Sequence, residues 1–207
     1  MKMKAWIATA LLAATCSMPA GAASGDLLAR MAALNPDLHA FTASMHADVH
    51  LTTFPFLSAK LEGTLYHKDP SMNKVVISSG LPMMAEQFDK LYADIPSPSQ
   101  WTALYDVKVA ADDGTTAVFA LVPKKKGNVD RIDAKVDEKS ATVVYLKWSY
   151  ENGGYAELNN RYKQVRGNTV VGSQTAHVAQ PGYSADISST LDNYTLNPTL
   201  SDDIFSQ

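Results

Sequence analysis

Apolar and polar residues alternate along two neighbouring stretches of the sequence. In the first stretch, residues 41–53, the odd-numbered positions up to 51 are apolar: Phe41, Ala43, Met45, Ala47, Val49 and Leu51. The positions between them are polar, and residues 57–68 repeat the alternation with Leu57, Ala59, Leu61 and Leu65. A period of two residues is typical of a strand with one buried and one solvated face. Both stretches are therefore predicted to be strands of an antiparallel sheet.

Similar segments recur through the rest of the sequence, separated by short turns. The further predicted strands are 74–78, 101–111, 115–122, 129–136, 141–150, 155–165, 169–178 and 183–194. Some turns carry strong hairpin signals, such as Asp112-Asp113-Gly114. The pattern predicts a mainly β fold, with a curved antiparallel sheet that forms an open half-barrel of about nine to eleven strands.

Two short helices are predicted to cover the concave face of this sheet. Residues 26–34 have four apolar residues at helical spacing, namely Leu27, Leu28, Met31 and Leu34. Ser24 or Gly25 can cap this helix, and Asn35-Pro36 ends it. The second segment, in residues 80–98, combines a short helix with a proline-containing loop. Its apolar residues are Met83, Met84, Phe88 and Leu91.

The first 22 residues have the features of a secretory signal peptide. A short basic start precedes an apolar run over residues 5–14, and Ala20-Gly21-Ala22 fits the small-residue cleavage rule. The apolar run is shorter than the roughly 20 residues of a transmembrane helix. We expect cleavage after Ala22, with a cut after Ala23 as the alternative. The product would be a single periplasmic domain over residues 23–207.

Cys16 is the single cysteine of the sequence, and its position leaves two alternatives. It either leaves with the signal peptide or is lipidated and becomes the first residue of an outer-membrane lipoprotein. The residues just before it lack the leucine and the small residue that usually precede a lipidated cysteine. If it is removed, the mature chain has no thiol, which excludes disulfides, thiolate chemistry and cysteine-bound metals.

The polar residues form no catalytic pattern. No G-x-S-x-G motif, P-loop or dinucleotide-binding motif occurs, and the paired acids Asp112 and Asp113 belong to a turn. We therefore predict a protein that is not an enzyme and needs no cofactor. The net charge of −3 comes without a dominant basic patch, which argues against nucleic acid as a partner.

Three side chains are predicted to project from one face of the first strand: His46, Asp48 and His50. With His67 as a further ligand, their spacing could hold zinc. Strand parity, however, places His67 on the opposite face. The alternative is an ordinary polar outer face, and no metal site is predicted. The lysines at 124–126 are either a solvated turn or a contact for lipid head groups or an acidic partner.

Three motifs, in this order, resemble the LolA/LolB-like family of periplasmic lipoprotein carriers. The first is in residues 61–70 and matches the family's strand followed by G-x-L-x-x-x-x-P, with Gly63, Leu65 and Pro70. The second is in residues 118–125 and is similar to the family's F-x-L-x-P-K hairpin, with Phe119, Leu121, Pro123 and Lys124. The third is in residues 197–205 and is similar to P-x-x-x-D-x-x-F, with Pro198, Asp202 and Phe205.

Two departures indicate a divergent member of this family. The family's carrier has an arginine before the early proline that holds its lid shut, and Asp69 stands at that position here. Residues 80–98 replace a family hairpin with methionines and prolines. The resemblance implies a monomeric periplasmic carrier that binds an acyl lipid or a lipidated protein, with transient contact to a membrane or a membrane-bound partner.

The inner apolar faces and the Met-rich segment are expected to line an apolar cavity. The lining residues would be Met45, Val49, Leu51, Leu61, Leu65, Met83, Met84, Phe88, Leu91, Trp101, Phe119, Leu121, Leu146 and Trp148. Flexible methionines suit variable apolar ligands. The alternative is that these side chains fill an ordinary core. The protein would then be an envelope interaction or sensor protein that binds protein partners through an exposed apolar patch.

Overall fold

The structure is a computed structural model that describes residues 20–53, 57–80 and 97–206. Within these ranges, ten strands form one sheet. They are β1 (Ala40–Leu51), β2 (Ser58–Lys68), β3 (Met72–Ser79), β4 (Tyr105–Asp112), β5 (Thr116–Pro123), β6 (Val129–Asp137), β7 (Thr142–Tyr150), β8 (Tyr155–Val165), β9 (Asn168–Gln180) and β10 (Tyr183–Leu196). The other described elements are α1 (Ala20–Ala32), α2 (Trp101–Leu104) and two 3₁₀ turns, Pro98–Gln100 and Asp202–Phe205.

The strands follow the order β3-β2-β1-β10-β9-β8-β7-β6-β5-β4, and all neighbours are antiparallel. The sheet is curved and does not close on itself, so β3 and β4 are its two edges. The pairing of β1 with β10 joins the first three strands to the last seven. The predicted mainly β, antiparallel half-barrel is confirmed, and its ten strands fall within the predicted range.

Strand parity decides which side chains face the inside of the curved sheet. In β1 the apolar residues are buried on the concave face: Ala43, Met45, Ala47 and Val49. The alternate residues are exposed on the outer face: His46, Asp48 and His50. Across the ladder, Met45 lies opposite Gly63 and Ala47 opposite Leu61. The two strands therefore contribute to the same buried layer.

Helix α1 packs on the concave face with Leu27 and Met31 buried. Its last turn is fixed by Arg30, whose Nη2 donates to the carbonyls of Glu138 at 2.5 Å and Lys139 at 3.2 Å. These carbonyls belong to the turn between β6 and β7, so the helix is tied to the half of the sheet that it covers.

The structure corrects the predicted bounds of two segments. Ser24 and Gly25 lie inside α1 and not at its cap, because the helix already includes Ala20 and ends at Ala32. The predicted strand 101–111 begins only at Tyr105. The preceding residues are helical because Pro98, at the start of the 3₁₀ turn, has a backbone suited to helix initiation. Trp101, the first residue of α2, is buried in the core, with 1% of its surface exposed.

The inner face carries two packed clusters of apolar side chains. The first cluster joins β1, β2, β3 and β10 through Ala43, Met45, Ala47, Val49, Leu61, Leu65, Val75 and Leu191. The second cluster lies under α1 and α2, and its largest members are Trp101, Phe119, Leu121, Ile132, Leu146, Trp148 and Leu158. Ile187 of β10 packs against both clusters, so β10 is where the two halves of the core meet.

Two segments with predicted roles lie outside the described residues. They are the proposed signal region up to residue 19, and residues 81–96 with Met83, Met84, Phe88 and Leu91. Within the described ranges, no helix has the length and apolar character needed to cross a membrane.

Candidate functional site: a cavity on the concave face

A cavity of about 410 Å³ opens on the concave face of the sheet. It borders both core clusters. Its apolar walls come from Met31, Leu34, Leu38, Phe41, Leu65, Trp101, Val143, Leu146, Val170, Val171 and Leu191. Packed side chains therefore cover the concave face at the two core clusters, and the cavity borders both of them. The structure thus contains both a packed core and a cavity, which were the two alternatives predicted from the sequence.

The turn after α1 forms one wall of the cavity and is clamped to β9. Asn35 Nδ2 donates to the Thr169 carbonyl, and the Thr169 N–H donates to Asn35 Oδ1, both at 2.9 Å. The backbone N–H of Leu38 donates to the Asn35 carbonyl at 3.1 Å. One side chain therefore positions the apolar wall formed by Leu34 and Leu38. From the sequence, Asn35 is expected only to end the helix.

A hydrogen-bonded polar group lies on the sheet inside the cavity. The Tyr162 hydroxyl donates to the Val143 carbonyl at 2.8 Å, and Asn160 Nδ2 donates to the same carbonyl at 2.9 Å. Gln174 Nε2 donates to Asn160 Oδ1 at 2.9 Å. Burial raises the pKa of Tyr162 to about 12, so its ring is neutral at physiological pH. These groups add an uncharged polar strip to the apolar walls of the cavity.

The rim at β2 and β3 holds an interacting set of ionisable groups. The imidazole of His67 stacks on the Phe41 ring, with centroids 4.8 Å apart and an interplanar angle of 23°. Its Nδ1 lies 2.8 Å from Asn73 Oδ1, and its Nε2 lies 3.5 Å from Asp69 Oδ1. The other carboxylate oxygen of Asp69 lies 3.3 Å from Nδ1 of His39. The His67 side chain is 20% exposed and that of Asp69 is 50% exposed, so ligands can reach both groups.

Those predicted lining residues that lie in the described ranges divide into three groups. Leu65, Trp101 and Leu146 border it directly. Met45, Val49 and Leu61 belong to the first packed cluster, and Phe119, Leu121 and Trp148 belong to the second. Leu51 is half-buried at the end of β1.

Strand parity also points to lining residues that are absent from the predicted set. Asn160 and Tyr162 continue the inward positions of Ala156 and Leu158 along β8. The predicted lining contains only apolar residues, so neither of these two side chains is part of it. His67 was placed on the inner face by parity, and the structure agrees.

The outer face differs from the cavity in its chemistry. A groove of about 590 Å³ crosses it, with polar side chains from β1, β8, β9 and β10. His46 and His50 turn towards Glu62 and Ser58 of β2, at 3.8 and 2.8 Å. In the part of the chain that the structure describes, no three His, Cys, Asp or Glu side chains are placed to bind a metal ion.

Comparison with known proteins identifies the fold. No family model and no curated protein match the sequence. The crystal structure of a LolA superfamily protein from Nitrosomonas europaea superposes with a TM-score of 0.59 at 9% identity, covering 88% of this chain and 97% of that chain. This chain has the LolA-like fold. The resemblance predicted from the sequence motifs is thereby confirmed for the fold.

Two further crystal structures share the LolA-like fold of this chain. A domain from Vibrio parahaemolyticus that is assigned to outer membrane lipoprotein sorting is 12% identical, with a TM-score of 0.61 and coverage of 88% and 97% of the two chains. A DUF1329 family protein from Desulfovibrio piger is 15% identical, with a TM-score of 0.58 and coverage of 90% and 97%. The matches span almost the whole of each compared chain, so the LolA-like fold extends across the described sheet.

Proposed function

We propose that this protein is a periplasmic, non-enzymatic carrier that binds an acyl lipid or a lipidated protein and takes part in lipid or lipoprotein trafficking in the cell envelope. The observation that carries the proposal is the apolar cavity between the two core clusters. Protein interiors are otherwise packed about as tightly as organic crystals, so a cavity of this size with largely apolar walls among the described residues favours a ligand. The LolA-like fold supports the same function.

The size of the cavity fits part of an acyl chain or a small lipid. Pockets for small molecules usually measure roughly 300–1,000 Å³, and this one measures about 410 Å³. Transfer of an apolar chain from water would stabilise the complex by about 25 cal/mol per Å² of buried apolar surface. The entropy that the ligand and the cavity side chains lose on binding has to be subtracted from this gain.

The predicted lining residues have two roles in this proposal. Leu65, Trp101 and Leu146 would contact the ligand, because they border the cavity. Those packed in the clusters, such as Met45 and Phe119, would hold the walls in place. Neither exposes more than 1% of its surface.

A membrane contact is proposed for the turn between β5 and β6. The Lys124 N–H donates to the Leu104 carbonyl at 3.0 Å, and Lys124 Nζ donates to the Thr102 carbonyl at 2.6 Å. The turn with lysines at 124–126 is thus held beside α2. Leu104 and Val122, which lie next to these lysines, are 46% and 44% exposed. Lysines beside exposed apolar side chains suit a transient contact with an anionic bilayer.

This contact can be tested with vesicles of phosphatidylglycerol and of phosphatidylcholine. We expect wild type to sediment more with the anionic vesicles, and the Leu104→Asp/Val122→Asp variant to lose this binding. A matched control is Leu57→Asp/Val76→Asp, whose side chains are 44% and 45% exposed elsewhere on the surface. Equal loss in both variants, or no preference for anionic lipid, would contradict the proposed contact.

The carrier function itself can be tested by native mass spectrometry of protein purified from the periplasm without detergent. We expect a lipid-sized adduct on the mature chain. A bare polypeptide that stays bare after incubation with phospholipid would reject the carrier function. It would favour the alternative of a protein-binding envelope component.

Two adjacent valines of β7 provide matched variants for the cavity. Val143 borders the cavity, whereas Val144 borders the groove on the outer face. Val143→Trp should fill the cavity and weaken binding of a lipid or of a neutral fluorescent probe by roughly tenfold or more. Val144→Trp adds the same ring on the other face and should leave binding unchanged. Equal binding by the two variants would show that the ligand occupies another site.

A further inference from the structure

The protonation pattern of His67 follows from its neighbour Asn73. Asn73 Nδ2 donates to the Ser71 carbonyl at 3.3 Å, so the amide oxygen of Asn73 points at His67 Nδ1, 2.8 Å away. An amide oxygen only accepts hydrogen bonds, so Nδ1 of His67 carries the hydrogen. In the neutral imidazole the other nitrogen, Nε2, then has a free lone pair and acts as an acceptor.

This acceptor faces a second acceptor. His67 Nε2 lies 3.5 Å from Asp69 Oδ1, and the carboxylate is oriented by His39, whose Nδ1 lies 3.3 Å from Asp69 Oδ2. His39 can donate to Oδ2, which leaves Oδ1 directed at His67. When the imidazole is neutral, these two acceptors at the rim of the cavity are both satisfied by one hydrogen-bond donor placed between them.

The charge of the cavity favours a positively charged donor. Among the described residues that border the cavity, Asp69 is the sole carboxylate, and none is a lysine or an arginine. Charge-assisted hydrogen bonds to a carboxylate are roughly twice as strong as neutral ones. A free fatty acid would instead bring its own carboxylate next to that of Asp69.

The apolar wall begins directly beside this pair of acceptors. His67 stacks on Phe41, and Leu65 precedes His67 by two residues on the same face of β2. A head group held by Asp69 and His67 would therefore direct its chain along Phe41 and Leu65 into the cavity. A metal ion is a poorer occupant, since no three potential ligands in the described ranges are suitably placed.

We propose that Asp69 and His67 form a head-group subsite for amphiphiles with a cationic, hydrogen-bond-donating group such as a primary amine, and that the cavity discriminates against free fatty acids. This inference rests on the proposed carrier function and specifies its ligand class. The Asp69 carboxylate would select for the positive charge of the head group, and His67 Nε2 would accept a hydrogen bond from the same group.

The test compares three amphiphiles with the same chain: dodecylamine, dodecanol and dodecanoate. Each displaces the neutral probe N-phenyl-1-naphthylamine from the full mature protein at about pH 8, at which imidazoles are ordinarily neutral and alkylamines are charged. We expect dodecylamine to bind on the order of tenfold more tightly than dodecanol, and dodecanoate to bind most weakly. Asp69→Asn should bring the amine and the alcohol to nearly equal affinity. Asp37→Asn, at an exposed residue that does not border the cavity, should keep the difference.

A second measurement avoids dependence on a substitution. Nitrogen-15 spectra of the histidine rings should show His67 as the Nδ1–H tautomer, with an Nε2 signal that moves on addition of dodecylamine and not of dodecanol. If dodecanol binds but the amine has no advantage, or if Asp69→Asn keeps that advantage, the head-group subsite is wrong and the carrier function stands. If none of the amphiphiles binds, both proposals fail.

Discussion

Lys147 and Glu157 face each other across β7 and β8 on the outer face, with Nζ 2.9 Å from Oε1. They belong to a row of cross-strand neighbours that runs through six strands: Asp133, Lys147, Glu157, His177, Asp186 and His50. Within the row, His177 Nδ1 also lies 2.6 Å from Asp186 Oδ1. Complementary neighbours of this kind stabilise the register of the strands, because a shift by one residue would separate them.

The Lys147–Glu157 pair should contribute to acid sensitivity. The hydrogen bond from Lys147 is the largest cause that lowers the pKa of Glu157. A lowered folded-state pKa gives stability that is present above the unfolded pKa, about 4.3, and is lost as pH falls through the folded value. Lys147→Met should therefore reduce the free energy of unfolding at neutral pH by about 1 kcal/mol or less, since the pair is partly exposed.

Urea unfolding at neutral and acidic pH measures this effect. The difference between wild type and Lys147→Met should shrink as the pH falls below about 4. Lys60→Met is a suitable control, because Lys60 Nζ lies 4.0 Å from Asp48 and both side chains are largely exposed. A difference that stayed constant with pH would indicate lost packing and not lost charge.

Tyr162 should make the protein sensitive to alkali. Burial raises the pKa of this phenol to about 12. The folded state therefore favours the neutral ring, and its stabilising contribution is complete below about pH 10 and is lost as pH rises towards 12. Tyr162→Phe should remove this loss, on the order of 1–2 kcal/mol. The test is to measure the free energy of unfolding of wild type and Tyr162→Phe near neutrality and at high pH. Tyr183→Phe, at an exposed tyrosine, is the control and should keep the loss seen in wild type.

Gly63 should tolerate no side chain. A Cβ at this position would lie 2.5 Å from the Val76 carbonyl oxygen of the adjacent strand β3. That contact is with backbone, which can only move by disturbing the ladder, so Gly63→Ala should destabilise the fold by about 1–3 kcal/mol. Gly127→Ala provides the control, since a Cβ there meets nothing within 4 Å. Equal melting temperatures for the two variants would contradict the close approach.

The two hydrogen bonds between Asn35 and the backbone of Thr169, called the Asn35 clamp, should hold in place the cavity wall that follows α1. Asn35→Ala removes two hydrogen bonds to the backbone of Thr169 and should cost about 1–3 kcal/mol. Faster amide exchange of Thr169 would show that the clamp is open. Asn159→Ala, at an exposed position of the outer face, should leave exchange at Thr169 unchanged.

The alternation of apolar and polar residues is sufficient to predict the strands. The cavity depends instead on contacts between residues that are far apart in the sequence. Parity placed Met45 and His67 on the inner face because side chains in a strand alternate regardless of what they pack against. It failed at Trp101, where the apolar spacing with Ala103 and Tyr105 also fits a strand. The proline before it decided the local backbone.

The pairing partner of β1 could not be read from any short segment. Asp69 and Asn160 come from distant parts of the sequence, and they border one cavity only because β10 brings their strands into the same sheet. The cavity predicted from the sequence is apolar throughout, so it does not include polar side chains that satisfy each other, such as Asn160 and Gln174.

The ladder between β1 and β10 also has a consequence for the order in which the molecule folds. Met45 pairs with Leu191, and the two lie almost at opposite ends of the described chain. Contacts of such large sequence separation form late, because a long loop must close before they become favourable. The hairpins from β4 to β9 can form while the chain is still incomplete. The cavity cannot, because its two walls are joined through the last strand. The binding surface would therefore mature in the final step of folding, and an emerging chain would expose the apolar side chains of both halves until then.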